Sequence, residues 1–506
     1  MPKFRTYDQH QSVMRQLVPA QLLEEDHPAR IVDAVVERLD LEQIYACYKE
    51  EGKPAYHPKM MLKVLFYSYL IGVMSSRKME EGLDLRADYV FLSGDQVPDF
   101  RTLNAFRTRH MAQLPGLFSQ IVMLCSALGM VDFKNLAIDG QKIQGKASFR
   151  NTVDRVRAKK QLERVRKGME KLLEREPEDT LDPAILEERK KKLERKEKRL
   201  AQALATLESL EDEGASVNMV DGDAKLMRHK DRRSVPSYNH QSAVDDRYGV
   251  TVAVATRQTV DRPEDLFELV DAAETNAGKA FETVLADSAF CDYESLRAME
   301  EDRKETFLVP DKRQDVVDSG DPARGEYDKS KFQANPEGTT MTCPQGKAMR
   351  MIHEKCFEDG HGERMFVGME CEECPVRSAC TKSKDGKRRV FYDTREPYRE
   401  VMRERLRSPE GRETYRKRQG IVEPIHGHDQ KNLGWRQHYL RGLAKAALEF
   451  LLVRMAGNIG KIARYKAREL LAMDGGTQWW AMACLTPVCG GYPGTASPGM
   501  MESYRV

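Results

Sequence analysis

The sequence predicts a multidomain α/β protein, and three patterns indicate that class. Residues 134–139 (KNLAID) and 283–290 (TVLADSAF) have the composition of short buried strands. From residue 216 to residue 311, strand-like and helix-like stretches alternate, which is typical of an α/β core. Residues 1–130 instead carry apolar side chains at helical spacing, so we expect an all-helical domain ahead of the core, and we interpret it as a DNA-binding domain.

Two stretches of different composition interrupt the predicted core. Residues 151–215 are dense in Lys, Arg and Glu, and their prolines divide them into two helices, so we expect an inserted helical hairpin. Residues 312–395 are polar and form a cysteine-bearing insertion. We therefore expect the core in three parts, at residues 131–150, 216–311 and 396–470, the last of them helical. An irregular tail is expected at residues 471–506.

Composition excludes several classes of protein. The 506 residues include 82 Lys and Arg against 80 Asp and Glu, a net charge of +2. A uniformly basic nucleic-acid coat is excluded, so any nucleic-acid surface must come from local segregation of charge. The sequence has no apolar run long enough for a spanning helix and starts without the apolar segment of a secretory signal, so we expect a cytoplasmic protein.

Three acids occupy positions that suit catalysis. Asp139 and Asp287 each follow a predicted strand, where ligands and catalytic groups collect in α/β sheets. Glu423 lies in QGIVEPIHG, at the expected beginning of a helix. A lone acid at a strand end is commonly a helix cap, and Glu near a helix start is a favourable dipole partner, so residue type alone leaves both interpretations open. Asp245 and Asp246 fall in a predicted hairpin turn, and we interpret them as structural.

Several motifs together resemble bacterial insertion-sequence DDE transposases with an RNase H-like core. They are LAIDGQKI, YNHQSAVD, LADSAF and IVEPIHG, followed by LRGLAKAALEFLLVRMAGNIGKI. The N-terminal part is similar to the helical domain that opens many members, through YSYLIGVMSSRKMEEGLDLRADYVFLSG and PDFRTLNAFR. The resemblance covers about residues 15–465 and is weakest in the two insertions. It implies an RNase H-like mixed sheet in which Asp139, Asp287 and Glu423 are the catalytic acids.

The resemblance also implies a reaction and its partners. The chain would bind the ends of an insertion sequence in double-stranded DNA, cleave them and transfer them to target DNA. Two Mg²⁺ ions held by the three acids, with Mn²⁺ as a substitute, would stabilise the attacking and leaving oxygens. Joining two ends requires two protomers, so we expect a homodimer on DNA. The alternatives are a related nuclease without strand transfer, an inactive domesticated DNA-binding protein and a coiled-coil interaction protein; the last leaves the strand-borne acids unexplained.

Basic residues cluster near these motifs. From Arg395 to Lys445 there are thirteen bases and seven acids, and a second basic group precedes the predicted hairpin. A helix capped by Thr102 would present further arginines, either to DNA or to solvent. Such residues supply salt-dependent affinity for DNA. The expected DNA-binding residues are Arg107, Arg109, Arg228, Lys230, Arg232, Arg416, Lys417, Arg418, Lys431 and Arg436. His426 and His428 are expected to face solvent.

The spacing of the cysteines favours a structural zinc site over disulfides. Cys371-x2-Cys374 followed by Cys380 has the spacing of zinc ligands, and Cys343 could complete four thiolates. The sequence leaves the fourth ligand open, because Cys356, His353 or His361 could replace Cys343. Free structural thiols are the alternative interpretation.

Overall fold

The computed structural model describes residues 18–49, 54–173, 183–311, 327–335, 337–358 and 360–473. These residues form two compact units. One comprises the described residues up to Leu117 together with those from Leu452 onward, and the other comprises Phe118–Leu451. The first division falls inside a helix rather than at residue 130, where we expected a domain boundary. The irregular tail that we predicted lies outside the described residues after residue 473.

The N-terminal unit is helical, as the sequence predicts. Its helices are α1 (Pro28–Glu37), α2 (Glu42–Tyr45), α3 (Pro58–Leu70), α4 (Ser76–Leu85), α5 (Ala87–Ser93) and α6 (Phe100–Arg109). The helix α7 (Leu114–Ala127) follows. Pro58 occupies the first turn of α3, where a missing N–H costs nothing. The expected cap of α6 is wrong: Asp99, not Thr102, caps it, and the backbone N–H of Thr102 donates to Asp99 Oδ1 at 2.6 Å.

A six-stranded mixed sheet forms the centre of the second unit. Its strands are β1 (Asn135–Gln144), β4 (Lys225–Arg228), β5 (Ser234–Asp245), β6 (Thr251–Arg257), β7 (Thr283–Leu285) and β8 (Thr306–Leu308). The order is β4-β5-β1-β7-β8, and β6 pairs with β5. The helix α10 (Glu264–Ala277) connects β6 to β7, and α11 (Tyr293–Glu301) connects β7 to β8. The alternation of strands and helices predicted for residues 216–311 is therefore present.

The strand β1 lies between an antiparallel and a parallel neighbour. It pairs with β5 in the antiparallel direction and with β7 in the parallel direction, where Ala137 lies opposite Leu285. We expected β1 to end at Asp139, but it continues to Gln144 because residues 139–144 pair with β5. Asp139 therefore lies within a strand rather than at its end.

The first insertion is a pair of long helices. They are α8 (Arg155–Leu173) and α9 (Pro183–Glu208), next to a two-stranded sheet of β2 (Thr152–Asp154) and β3 (Ser216–Asn218). The predicted hairpin is present, and Leu200 and Leu207 of α9 are fully buried against α8 and the small sheet.

The second insertion forms a separate antiparallel sheet of five strands, ordered β13-β12-β11-β10-β9. These are β9 (Gln333–Ala334), β10 (Met341–Thr342), β11 (Ala348–Cys356), β12 (Gly362–Gly368) and β13 (Arg389–Asp393), with a short helix α12 (Arg377–Cys380). Its small core consists of Phe332, Met341, Met349, Phe366, Val390 and Tyr392.

Four helices complete the described chain: α13 (Glu396–Arg407), α14 (Pro409–Gly427), α15 (Leu443–Tyr465) and α16 (Ala467–Ala472). The expectation that Glu423 begins a helix is wrong, because α14 starts fourteen residues earlier and continues through Pro424. A π-helical turn, His428–Asn432, follows α14. In the described ranges, none of the helices combines the length and apolarity needed to span a bilayer.

A buried carboxylate fixes the segment between α14 and α15. Glu449, fully buried on α15, accepts hydrogen bonds from Trp435 Nε1 at 2.9 Å and from the backbone N–H groups of Tyr439 and Leu440. Burial raises the pKa of Glu449, but the nearby His438 ring and the hydrogen bonds from Tyr439 and Trp435 outweigh this effect and hold the pKa below its usual value. One charged side chain therefore orders the segment that carries Lys431 and Arg436.

Glu449→Ala should lower the free energy of unfolding by about 3 kcal/mol, because it leaves several buried N–H donors without an acceptor. Urea unfolding followed by circular dichroism measures the change. Glu188→Ala, at an exposed position on α9, is the matched control and should leave the unfolding midpoint unchanged. Equal effects of the two substitutions would contradict the role given to Glu449.

Candidate active site

Asp139 and Asp287 stand level with each other on neighbouring parallel strands. The pairing of Ala137 with Leu285 lies two residues before each acid. Asp287 follows the last residues of β7, and its Oδ1 accepts the backbone N–H of Ala289 at 2.9 Å, which caps a short 3₁₀ turn. Both acids are partly buried. The register of the sheet therefore brings together two of the three acids that the sequence suggested.

One face of α14 lies against these acids. Tyr415 Oη donates to the carbonyl of Ala286 at 3.3 Å, beside Asp287. Arg418 Nη2 donates to Asp139 Oδ1 at 2.9 Å and to the carbonyl of Ile138 at 3.3 Å. His426 Nδ1 lies 3.5 Å from Asp139 Oδ2. Each oxygen of Asp139 thus has a nitrogen partner on α14, and the expectation that His426 faces solvent is wrong.

The electrostatic environment of Asp139 is unusual for a carboxyl group. Burial raises its pKa to about 6; Arg418 opposes that rise, and the negative charges of Asp287 and Asp261 add to it. The site thus brings several carboxylates together with too few cations to neutralise them. Such a site favours binding of a positively charged ligand.

Glu423 lies on the same helix but on a more exposed face. It is three residues before His426 and one after the buried Val422. Among the described residues, the carboxylate of Glu423 forms no hydrogen bond or ion pair. The structure therefore places the helix of Glu423 beside the two aspartates while its carboxylate remains exposed.

A further carboxylate, Asp261, lies next to the strand that carries Asp139. A β-carbon added to Gly140 would collide with both oxygens of Asp261, so that carboxylate rests directly on the glycine backbone. Asn239 and Gln241 each donate a side-chain amide hydrogen bond to Asp261 Oδ1 at 2.8 Å. The local sequence pattern does not assign Asp261 to this site.

A second group of acids lies at the other end of β1. One carboxylate oxygen from each of Asp132, Asp245 and Asp246 lies within 4.8 Å of the others, and this group could bind a metal. Asp245 is fully buried and accepts the backbone N–H groups of Asp132, Phe133 and Arg247. These bonds hold the segment before β1 and the turn after β5, which lie at the same end of the pairing between the two strands, and this agrees with the structural role that we expected for Asp245.

The predicted DNA-binding residues fall into exposed and buried groups. The exposed ones are Arg109, Arg228, Lys230, Arg232, Arg416, Lys417, Lys431 and Arg436. Arg107 is buried inside the N-terminal unit, where it donates to Asn104, Tyr69 and the carbonyl of Met74. This placement favours a structural role for Arg107, and Arg109 remains the candidate for DNA contact on α6. Arg418 points to Asp139 rather than away from the protein.

Two family models match separate parts of the chain. One describes a transposase DDE domain and matches residues 342–463. The other describes a transposase domain named DUF772 and matches residues 18–109, within the helical unit. The matches support an insertion-sequence DDE transposase. No curated protein matches the chain.

The transposase families agree with the architecture. A mixed sheet with an N-terminal helical region is consistent with an RNase H-like DDE core, so the predicted fold class is confirmed. A DDE domain also implies a nucleic-acid-processing enzyme that uses a divalent metal. The matched segment contains Glu423 and the whole of α14, whereas Asp139 and Asp287 precede it.

Proposed function

We propose that this transposase binds the ends of its insertion sequence, cleaves the DNA there with Mg²⁺ and joins the freed 3′ ends to target DNA. The single observation that carries this proposal is the level placement of Asp139 and Asp287 on parallel strands, beside the helix of Glu423. These acids are distant in sequence, and a shared metal site is a reason for the fold to bring them together.

The donor set fits the metal that this chemistry needs. Asp139, Asp287 and Glu423 would hold the ions, because Mg²⁺ and Mn²⁺ prefer carboxylate oxygens. When bound, the ions would reduce the electrostatic repulsion between the scissile phosphate and the attacking oxygen, and they would activate that oxygen. Tyr415 and Arg418 keep α14 against the strands of the two aspartates. Arg418 also neutralises part of the negative charge around Asp139.

Exposed basic residues support DNA as the partner. Arg416 and Lys417 lie on the outer face of α14, and Lys431 and Arg436 lie on the segment fixed by Glu449. Arg228, Lys230 and Arg232 follow the edge of the central sheet, on β4 and the turn after it. Phosphate contacts from these groups would provide affinity without sequence preference. Two element ends must be held together for joining, so we include a homodimer on DNA in the proposal.

Asp139→Ala, Asp287→Ala and Glu423→Ala should each reduce DNA cleavage by about a hundredfold or more while leaving binding of the ends largely intact. Duplexes that carry the candidate terminal inverted repeats, labelled at one end and incubated with Mg²⁺, give products that a denaturing gel resolves. Glu413→Ala is the matched control, since it removes an exposed acid from the same helix.

The same assay separates the alternatives. Cleavage without joined products would identify a nuclease that lacks strand transfer, and end binding without cleavage by the unaltered chain would identify an inactive DNA-binding protein. Retained cleavage by Asp287→Ala would remove that acid from the mechanism. Loss of cleavage in Asp246→Asn alone would instead move the metal site to the group around Asp245.

We also propose a structural zinc ion in the second insertion, held by Cys343, Cys371, Cys374 and Cys380. All four thiols line one cavity beside Phe332. Cys343 lies in the tight turn between β10 and β11, where the N–H of Gly346 donates to its carbonyl at 2.8 Å. A similar turn joins Cys371 and Cys374, because the N–H of Cys374 donates to the carbonyl of Cys371 at 3.3 Å.

The candidate replacements for Cys343 lie elsewhere in the insertion. Cys356 and His353 are exposed on β11, and His361 stacks on Phe357 with 4.3 Å between ring centroids. The small core of this insertion is a physical reason for a metal, because four thiolates around Zn²⁺ can order a segment that buries little apolar surface.

Purified full-length protein should retain about one zinc ion per chain after dialysis, as four thiolate ligands imply. Metal analysis by mass spectrometry measures this content. Cys374→Ser should release the zinc, whereas Cys356→Ser, at an exposed cysteine of the same sheet, should retain it. Folded protein without zinc, or loss of zinc in Cys356→Ser, would overturn the assignment.

A further inference from the structure

The outer face of α8 carries a continuous row of basic side chains. This helix contains eight bases and two acids, in a chain whose net charge is only +2. Five of the bases recur three or four residues apart and therefore share one face of the helix. They are Arg157, Lys160, Arg164, Lys167 and Lys171, which are all exposed, and we call this row the basic stripe. The buried apolar residues of α8 lie on the other side, against α9 and the small sheet.

The two helices of the hairpin differ in how their charges are arranged. On α9, eight bases are mixed with five acids, and Lys191 forms an ion pair with Glu187 at 3.2 Å, one turn before it. Such pairs within a helix are typical of a face that meets only solvent. Within the described residues, the ion pairs of α8 are made by Lys159 and Arg166, which reach across to α9, and none is made by the basic stripe.

A row of like charges is unfavourable unless an opposite charge faces it. Basic side chains three and four residues apart repel each other along a helix, so the stability of α8 alone does not account for the stripe. From Arg157 to Lys171 the stripe is about 21 Å long. Double-stranded DNA of that length, about six base pairs, presents a regular row of phosphates on each strand. The length and the charge of the stripe therefore match a DNA backbone.

The apolar face of α8 is not available to a membrane surface. A helix that lies on a membrane inserts its apolar face among the lipids. Leu162 and Val165 of α8 are instead buried in a cluster with Leu200 of α9. The stripe thus offers a partner positive charge without an apolar face, which fits the phosphate backbone of a nucleic acid better than a lipid surface.

The base of the hairpin is fixed to the catalytic unit. Asn218 of β3 is buried and donates to the carbonyl of Ser148 at 2.8 Å and to Thr152 Oγ1 at 3.0 Å. Asp221 follows β3, and its Oδ1 accepts a hydrogen bond from Tyr238 Oη of β5 at 2.7 Å. A DNA segment held on α8 would therefore be held in a defined position relative to the central sheet.

We propose that the basic stripe of α8 binds the phosphate backbone of double-stranded DNA. This inference rests on the proposed function, which supplies DNA as the partner, and it assigns a role to the first insertion. The stripe is a further DNA contact, separate from the exposed bases on α14, on β4 and on the segment fixed by Glu449. Because it contacts phosphates, it adds affinity without sequence preference.

Binding of the full-length protein to fluorescent duplexes, measured by anisotropy at several salt concentrations, tests the stripe. The combined substitutions Lys160→Ala, Arg164→Ala and Lys167→Ala should weaken binding about tenfold or more. They should also make the slope of log K against log salt concentration shallower by about 2.7, at about 0.9 for each lost phosphate contact. Two duplexes of unrelated sequence should show the same loss. Alanine favours helix, so circular dichroism should show an intact fold.

The combined substitutions Lys191→Ala, Arg195→Ala and Lys198→Ala are the matched control. These exposed side chains of α9 have the same residue types at the same spacing, so the control loses the same charge from the same hairpin. It should leave the affinity and the salt slope nearly unchanged. Equal losses in the two triple variants would show an effect of net charge alone and would overturn the inference.

The outcomes also separate this inference from the proposed function. If the unaltered chain binds no duplex, the DNA binding of the proposed function fails and the inference fails with it. If the unaltered chain binds but the α8 variant keeps its affinity and slope, only the role of the stripe is overturned. The rival occupant is a second copy of the chain, whose residues 174–182 contain five acids and one base. Altered sedimentation of the DNA-free α8 variant, with unchanged DNA affinity, would assign the stripe to that contact instead.

Discussion

The parallel pairing of β1 with β7 is the constraint on which the candidate active site depends. It places Ala137 opposite Leu285 and therefore Asp139 level with Asp287. Because side chains alternate along a strand, a slip of one residue would turn the side chains of one strand to the other face. Buried apolar residues at Leu136, Ala137, Val284 and Leu285 oppose such a slip. The hydrophobic packing of the sheet thus fixes the positions of two charged side chains.

Bringing carboxylates together has an electrostatic cost that the surrounding residues reduce. Arg418 supplies a positive charge to Asp139, and two buried amides supply hydrogen bonds to Asp261. These partners come from α14, which packs against β1, and from β5, which pairs with β1. The remaining negative charge gives the site its preference for cations. A single arrangement of α14 therefore serves both packing and electrostatics.

Local sequence pattern predicted the apolar half of β1, the helical hairpin and the helical N-terminal unit, because each has its own periodicity or composition. It did not predict that β1 continues beyond Asp139, since residues 140–144 join the strand through pairing with β5. Pro424 suggested a helix start near Glu423, because proline prefers the first turn, but α14 already extends to it from Pro409. Local signals placed the elements, and long-range pairing decided their ends.

The candidate site shows the same division. Asp139 and Asp287 could be predicted from the sequence because each follows an apolar run. Asp261 could not be predicted, since its position depends on the contact with Gly140 and on amides from another strand. His426 was predicted to face solvent because nothing in a local pattern reveals which face of a helix meets a distant acid. The sequence signal for Asp261 was Gly140, directly after Asp139, because a glycine within a strand often marks the close approach of another group.

The central claim is that Asp139, Asp287 and the helix of Glu423 surround a shared divalent cation site. The most direct measurement substitutes Fe²⁺ for Mg²⁺ and adds ascorbate and peroxide, so that radicals cut the backbone close to the bound ion. The account predicts cuts near residues 139, 287 and 423 that excess Mg²⁺ suppresses. Cuts confined to residues 132 and 245–246, or cuts that Mg²⁺ does not suppress, would contradict it.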